Sequence, residues 1–128
     1  MSILDTSFYM APRIPTMTRN MMKGLRALDL LLVFELIYAL KKDSKNTVEI
    51  TPEFLEELST TLEYSVGSIQ NAIGRLKKHN ILHKVKGYTF LINPVIVMSS
   101  QRKQMQELID QGYFDVFGDS IDELKSNV

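Results

Sequence analysis

The 128-residue sequence contains no cysteine. That excludes a disulfide framework and thiolate metal ligation, and leaves an apolar core as the source of stability. Histidine is scarce, with His79 and His83 the only two. A helix end expected at Asn80 separates them and no acid lies nearby, so a hydrolytic metal centre has neither a ligand set nor a base. No Gly-rich phosphate loop ending in Lys-Ser/Thr occurs, and no Ser-His-Asp set can be assembled. The chain is read as a non-enzyme, with no catalytic residue, metal or cofactor expected. Long apolar runs are also missing. The longest is Leu30 to Phe34, and Arg26, Asp29 and Glu35 interrupt its surroundings, which is too short and too charged for a bilayer span. Met1 to Met10 has no basic segment leading into an apolar core, so no signal peptide is expected. The location is read as cytoplasmic, without a membrane partner.

Acid is absent from one long stretch. Tyr64 to Gln106 holds no Asp or Glu, against seven bases: Arg75, Lys77, Lys78, Lys84, Lys86, Arg102 and Lys103. Residues 107–128 hold six acids against Lys125, and residues 1–63 hold nine acids against seven bases. A formal net charge of zero therefore conceals a strongly positive middle, the distribution expected of a protein that meets a polyanion.

The same stretch carries the clearest local pattern. Ser65 suits an N-cap, and Ile69, Ile73 and Leu76 come after it at the spacing of a buried helical stripe, with Ala72 small enough for a neighbouring helix to approach. Gly67, Ser68, Gln70, Asn71, Gly74, Arg75 and Lys78 are then expected to point outward. Asn and Gln can bond an adenine edge bidentately, and Arg and Lys address guanine or phosphate. Ser65, Ser68, Gln70 and Asn71 are expected near bases, with Arg75 and Lys78 further along the groove or on the backbone. Gly67 is expected to let a phosphate come close. Standing alone, such a face would suit solvent equally well.

The residues directly after the helix favour the nucleic-acid reading. Asn80 tolerates left-handed geometry, and the period then changes from that of a helix to that of strands. Ile81, His83 and Val85 alternate with Leu82, Lys84 and Lys86; beyond Lys86-Gly87, Tyr88, Phe90 and Ile92 alternate with Thr89, Leu91 and Asn93. Two β-rich runs joined by a pair ending in Gly predict a tight hairpin with a primed turn. Lys84 and Lys86 lie near its tip, where they are expected to follow a phosphate backbone or minor groove. A helix succeeded at once by a hairpin is the order of a winged helix-turn-helix.

The rest of the chain fits that order. Residues 1–22 read as an extended N-terminal arm, apolar for its lack of pattern, in which Thr16 or Thr18 could cap the first helix. That long helix is expected from about Arg19 to Lys42. It is apolar on nearly every side, so its outer face calls for the arm, the C-terminal helix or a second copy of the chain, and a homodimer through this helix and the arm is expected. Thr47 to Ile50 reads as a third strand. Thr51-Pro52-Glu53 starts a helix with an N-cap, Pro at the first position and an acid in the first turn. Residues 23–98 thus form the winged-helix domain, and residues 99–128 a C-terminal helix, capped by Ser99 or Ser100, with an acidic tail. The fold class expected is α+β, mainly α.

Gly87-Tyr88 with Ile92-Asn93-Pro94 beyond it, behind a helix of the form Ser65-x-x-Ser68-Ile69-x-x-Ala72-Ile73-x-x-Leu76, resembles the plasmid replication initiators of the RepL type over roughly residues 25–98. The helix pattern alone is also similar to MarR-like regulators. The first resemblance implies a plasmid or phage initiator that binds its origin in double-stranded DNA and brings host replication proteins there. The second implies a dimeric transcription regulator. A protein-interaction winged helix, working through its first helix and arm without DNA, is the alternative from another class.

Overall fold

The computed structural model describes residues 9–10 and 15–126; much of the expected arm, including Phe8 and Pro12, lies outside these residues. Tyr9–Met10 form a short strand, β1. Helix α1, Pro15–Met22, opens on a proline whose fixed φ suits a first helical position, so Thr16 and Thr18 lie inside it and do not cap it. The second part of the arm is therefore helical. Gly24, at φ +89°, ends this turn of chain, and α2 begins separately at Ala27 and runs to Ala39. The long helix expected from Arg19 is thus two helices. A residue in left-handed geometry between them breaks the hydrogen-bond ladder.

Beyond α2 come β2 (Thr47–Glu49), α3 (Pro52–Leu62), α4 (Val66–Lys78), β3 (Leu82–Lys86), β4 (Thr89–Ile92), β5 (Val97–Met98) and α5 (Arg102–Asp110). A single 3-10 turn at Asp115–Phe117 then leads into α6, Asp119–Ser126. The class is α+β and mainly helical, with an antiparallel sheet of three strands in the order β2-β4-β3. A separate antiparallel pair joins β1 to β5, with Tyr9 opposite Met98.

The starts of α3 and α4 are set by their first residues. Thr51 Oγ1 accepts the Phe54 N–H at 3.1 Å ahead of Pro52, and Ser65 Oγ accepts the Ser68 N–H at 3.1 Å, each satisfying an otherwise orphaned donor. Glu63, at φ +59°, turns the chain from one helix to the next. The main core lies between the three helices α2, α3 and α4 and one face of the sheet. Leu32 and Leu36 of α2, Leu58 of α3, and Ile69 and Leu76 of α4 meet there with Phe90 and Ile92 of β4.

The alternation expected in β4 is present, with Phe90 and Ile92 on one face and Leu91 on the other, but both faces are buried. Leu91 points into a second core, formed with Val95, Met105, Ile109, Phe114, Phe117, Ile121 and Leu124. The acidic tail expected after residue 111 is accordingly a packed helical cap on the sheet. Its charges sit between apolar residues at helical spacing, so charge dominates the pattern along the chain while Phe117, Ile121 and Leu124 make the contacts. Of the residues after Gly112, Phe114 and Phe117 are buried, whereas Tyr113 and Val116 stay exposed.

Buried asparagines fasten these layers. Asn46, at φ +62° in the loop before β2, donates from Nδ2 to the carbonyls of Ile92 at 3.0 Å and Val97 at 2.7 Å, and its Oδ1 accepts the Ser99 N–H at 2.7 Å. Ser99 Oγ accepts the Asn46 N–H in return at 2.9 Å. Ser99 is thus part of this clasp and not the cap of α5, whose N-cap is Gln101, without a side-chain cap bond. Asn93 donates to the Asn80 carbonyl at 2.9 Å and to Ser120 Oγ at 3.1 Å, tying the end of α4 and the C-terminal cap to the end of β4. Because Phe117 is a fully enclosed member of the second core, Phe117→Ala is expected to cost about 3–5 kcal/mol, read as a lower urea midpoint. A merely solubilising tail would leave the midpoint unchanged.

Candidate nucleic-acid interface

On α4, the buried stripe of Ile69, Ala72, Ile73 and Leu76 fixes which side faces out. Gly67, Gln70, Asn71, Gly74, Lys77 and Lys78 are exposed, Ser65 is exposed at the N-cap, and Ser68 is half-buried with its hydroxyl 3.0 Å from Ser65 Oγ. The outer face therefore combines amides at the N-terminal end with lysines in the last turn, where cations also complement the helix dipole. A glycine in a helix interior, as at Gly74, is unfavourable by roughly 1 kcal/mol relative to alanine, whereas Gly67 lies in the first turn. A methyl group at Gly67 would approach Ser65 Oγ at 3.9 Å, and one at Gly74 would meet nothing within 4 Å. Neither glycine is required by internal packing. Both leave the backbone of the outer face open to close approach from outside. Both lie on the outward face that the helical spacing predicts, seven residues apart, and Gly74 joins Gly67 in the candidate site.

The hairpin β3–β4 stands beside α4. Lys86 pairs with Thr89 across a two-residue turn, Gly87-Tyr88, with Gly87 at φ +55°. Glycine at the first central position of such a turn matches the twist of antiparallel strands. The register shifts between Lys84 and Lys86, so Val85 is an extra residue, and the alternation read from the sequence ends there. Lys84 and Lys86 are exposed as expected. Between hairpin and helix runs an open groove of about 370 Å³, with Gln70 and Val66 on one side, Lys84, Gly87 and Tyr88 on another, and Leu55 and Glu56 of α3 closing it. A second groove, of about 530 Å³, lies among β2, α3 and Lys41 and carries Glu49, Glu53 and Glu57. Acids of α3 thus line both grooves, whereas α4 and the hairpin carry none.

Arg75 departs from the expectation that it points outward. Its Nε lies 3.0 and 2.9 Å from the two carboxylate oxygens of Asp29, and Nη2 lies 2.8 Å from Oδ1. Asp29 is fully buried in α2 and also accepts the Arg26 N–H at 2.9 Å. The guanidinium fork spans α4 to α2 and fixes how α4 sits on the core. Burial works to raise the Asp29 pKa. The Arg75 hydrogen bond, the Arg26 amide and the two guanidinium charges outweigh it, so the carboxyl is held below the ordinary aspartate range. The hydrogen bond to Asp29 in turn holds Arg75 more firmly protonated. Sequence spacing put Arg75 at the edge of the outer face; an acid 46 residues earlier could not be paired with it from the pattern.

His83 is exposed, its ring edge-on to Phe117 at 6.3 Å between centroids, and His79 is half-buried. Among the described residues, no group of three or more His, Asp or Glu is placed to hold a metal ion. No helix among them is long and apolar enough to cross a membrane.

No family model, curated protein or solved structure matches this chain. The site is accordingly defined by its own residues: Ser65, Gly67, Ser68, Gln70, Asn71, Gly74, Lys77 and Lys78 on α4, and Lys84 and Lys86 on the hairpin.

Removing Arg75 strands a buried carboxylate, so Arg75→Ala is expected to lower the urea midpoint. Arg75→Lys should recover only part, since an ammonium cannot reproduce the fork. A folded pKa below the unfolded one means that the pair contributes stability above the unfolded value and loses it as pH falls through the folded value. Urea midpoints tracked into acid should therefore fall less steeply for Asp29→Asn than for the unaltered protein. Parallel acid limbs for the two would remove Asp29 from the linkage.

Proposed function

We propose that the protein is a winged helix that binds double-stranded DNA, with α4 in the major groove and the β3–β4 hairpin as the wing over the neighbouring backbone and minor groove. The observation that carries this reading is a single exposed surface with no acid on α4 or the hairpin, bearing Gln70, Asn71, Lys77, Lys78, Lys84 and Lys86. Surfaces made only for solvent mix both signs of charge. Ser65, Ser68, Gln70 and Asn71 stand at the end of the helix that normally reaches base edges. Gly67 and Gly74 supply the close approach that a phosphate-lined groove wall requires. Arg75 acts through Asp29, as the residue that positions α4, and is not assigned to a base.

Within that reading, the resemblance to RepL-type initiators favours a plasmid or phage origin as the DNA site, with host replication proteins as further partners in a cytoplasmic setting. A dimeric regulator is the second reading, and one observation favours self-association: Leu31, Phe34 and Tyr38 form an exposed stripe on α2, with Phe34 62% and Tyr38 85% exposed. That stripe is also the surface on which a purely protein-binding winged helix would work.

Selection of bound duplexes from a randomised pool at physiological salt tests the proposal. A recovered motif is expected; an inverted repeat with half-sites about one helical turn apart assigns the regulator, and a single or directly repeated element the initiator. Failure to enrich any motif would reject sequence-specific binding. On a recovered site, Lys86→Ala should weaken all duplexes alike and reduce the slope of log affinity against log salt by about one phosphate's share, near 0.9. Gly74→Ala should move stability and binding in opposite directions, raising the first by about 1 kcal/mol while weakening the second. Unchanged binding in that variant would take Gly74 out of the interface.

A further inference from the structure

The hairpin carries more apolar surface at its tip than holding phosphate requires. Tyr88 and Val85 are each 55% exposed, on either side of Lys86 and Gly87. Tyr88 is the second residue of the two-residue turn, and its carbonyl accepts the Ile50 N–H at 2.8 Å, which anchors the turn to the segment after β2. Gly87 at φ +55° fixes the other side. The Tyr88 backbone is therefore held while its side chain makes no hydrogen bond or ring contact among the described residues. The bulge at Val85 breaks the strand alternation next to the tip, a device that re-aims side chains at the ends of sheets. Tyr88 and Lys84 share the groove wall that faces Val66 and Gln70 of α4. Tyr88 thus lines the groove beside Lys84 and across from α4, with Glu56 of α3 closing it.

We propose that Tyr88 is a wedge that enters the minor groove at the wing and stacks on a partly unstacked base step, kinking the duplex. This deepens the DNA-binding reading and rests on it. Lys84 and Lys86, both on the strand leading into the turn, would neutralise neighbouring phosphates, and a fixed turn with a two-torsion aromatic loses little entropy on insertion. Unstacking costs least at pyrimidine–purine steps, so the preferred ligand is a duplex with a TpA or CpA step under the wing. The wing then selects sequence by deformability, while α4 reads base edges.

The test uses the full chain and a fluorescein-labelled duplex of about two helical turns, with a central TpA step whose adenine is 2-aminopurine. An A-tract duplex of equal length serves as the stiff control, and salt is kept low so that general binding is measurable. The unaltered protein should prefer the TpA duplex and raise its 2-aminopurine emission. Tyr88→Ala should weaken that binding roughly 5- to 100-fold, leave the salt slope unchanged and abolish the emission rise; Tyr88→Phe should retain both. The sequence contains no tryptophan, so Tyr88→Trp introduces a lone indole whose emission should be quenched in the complex. If Tyr88→Ala keeps both affinity and the emission rise, the wedge is overturned and DNA binding stands. If the unaltered protein binds neither duplex at low salt, both fall together.

Discussion

A strand buried on both faces has no water available to its backbone, so its peptide groups must all be met by neighbouring chain. β4 is under that constraint. Phe90 and Ile92 face the helices α2, α3 and α4, while Leu91 faces the C-terminal cap. β2 and β3 pair with it on either edge, and past their ends Asn46 and Asn93 take over. Asn46 accepts the Ile92 N–H through its own carbonyl and donates to the Ile92 carbonyl through its side chain. Asn93 caps the strand's exit by accepting the Val95 N–H at 3.0 Å and reaching back to Asn80. The Ile92-Asn93-Pro94 motif, which carries a family resemblance in the sequence, has a structural reason in this chain. It closes the strand on which both cores rest.

Positioning of the proposed interface depends on the same strand. β4 is one arm of the hairpin, so the hairpin is anchored in the core beneath it, and its far end is exposed. α4 is fixed on the other side by its buried stripe and by the Arg75–Asp29 fork. A buried ion pair of this kind contributes little net stability compared with apolar residues of similar shape. Its geometry is directional, however, and it sets how α4 lies across α2. Helix and wing are thereby held relative to each other by elements that contribute no group to the outer surface.

Much of the fold is legible in the sequence because it is local. Thr51-Pro52-Glu53 and Ser65 announce helix starts through hydrogen bonds that span three residues, Asn80 announces a helix end, and Gly87 a turn, although its central pair is Gly87-Tyr88 and not the expected Lys86-Gly87. The exposed amides and lysines of the candidate site come from the same helical spacing once Ile69, Ile73 and Leu76 are placed inside. Contacts that close over long stretches of sequence are not legible in this way. Nothing in the pattern around Arg75 points to Asp29, nothing around Asn46 points to Ser99, and the apolar residues among the acids after Gly112 do not disclose that Leu91 lies opposite them.

Local sequence is enough to set the element order from α2 to β4, the inward stripe of α4, and the segregation of charge that leaves the middle of the chain without an acid, since each depends on neighbours within one or two turns. Packing across the whole chain was needed to make Arg75 a strut between helices, to draw Ser99 into a clasp, to turn the acidic end into a packed cap, and to bring Tyr88 into a groove with Lys84 and Gln70. Those outcomes depend on which distant segments share a face of β4 or of α2, and the spacing of residues along the chain carries no record of that.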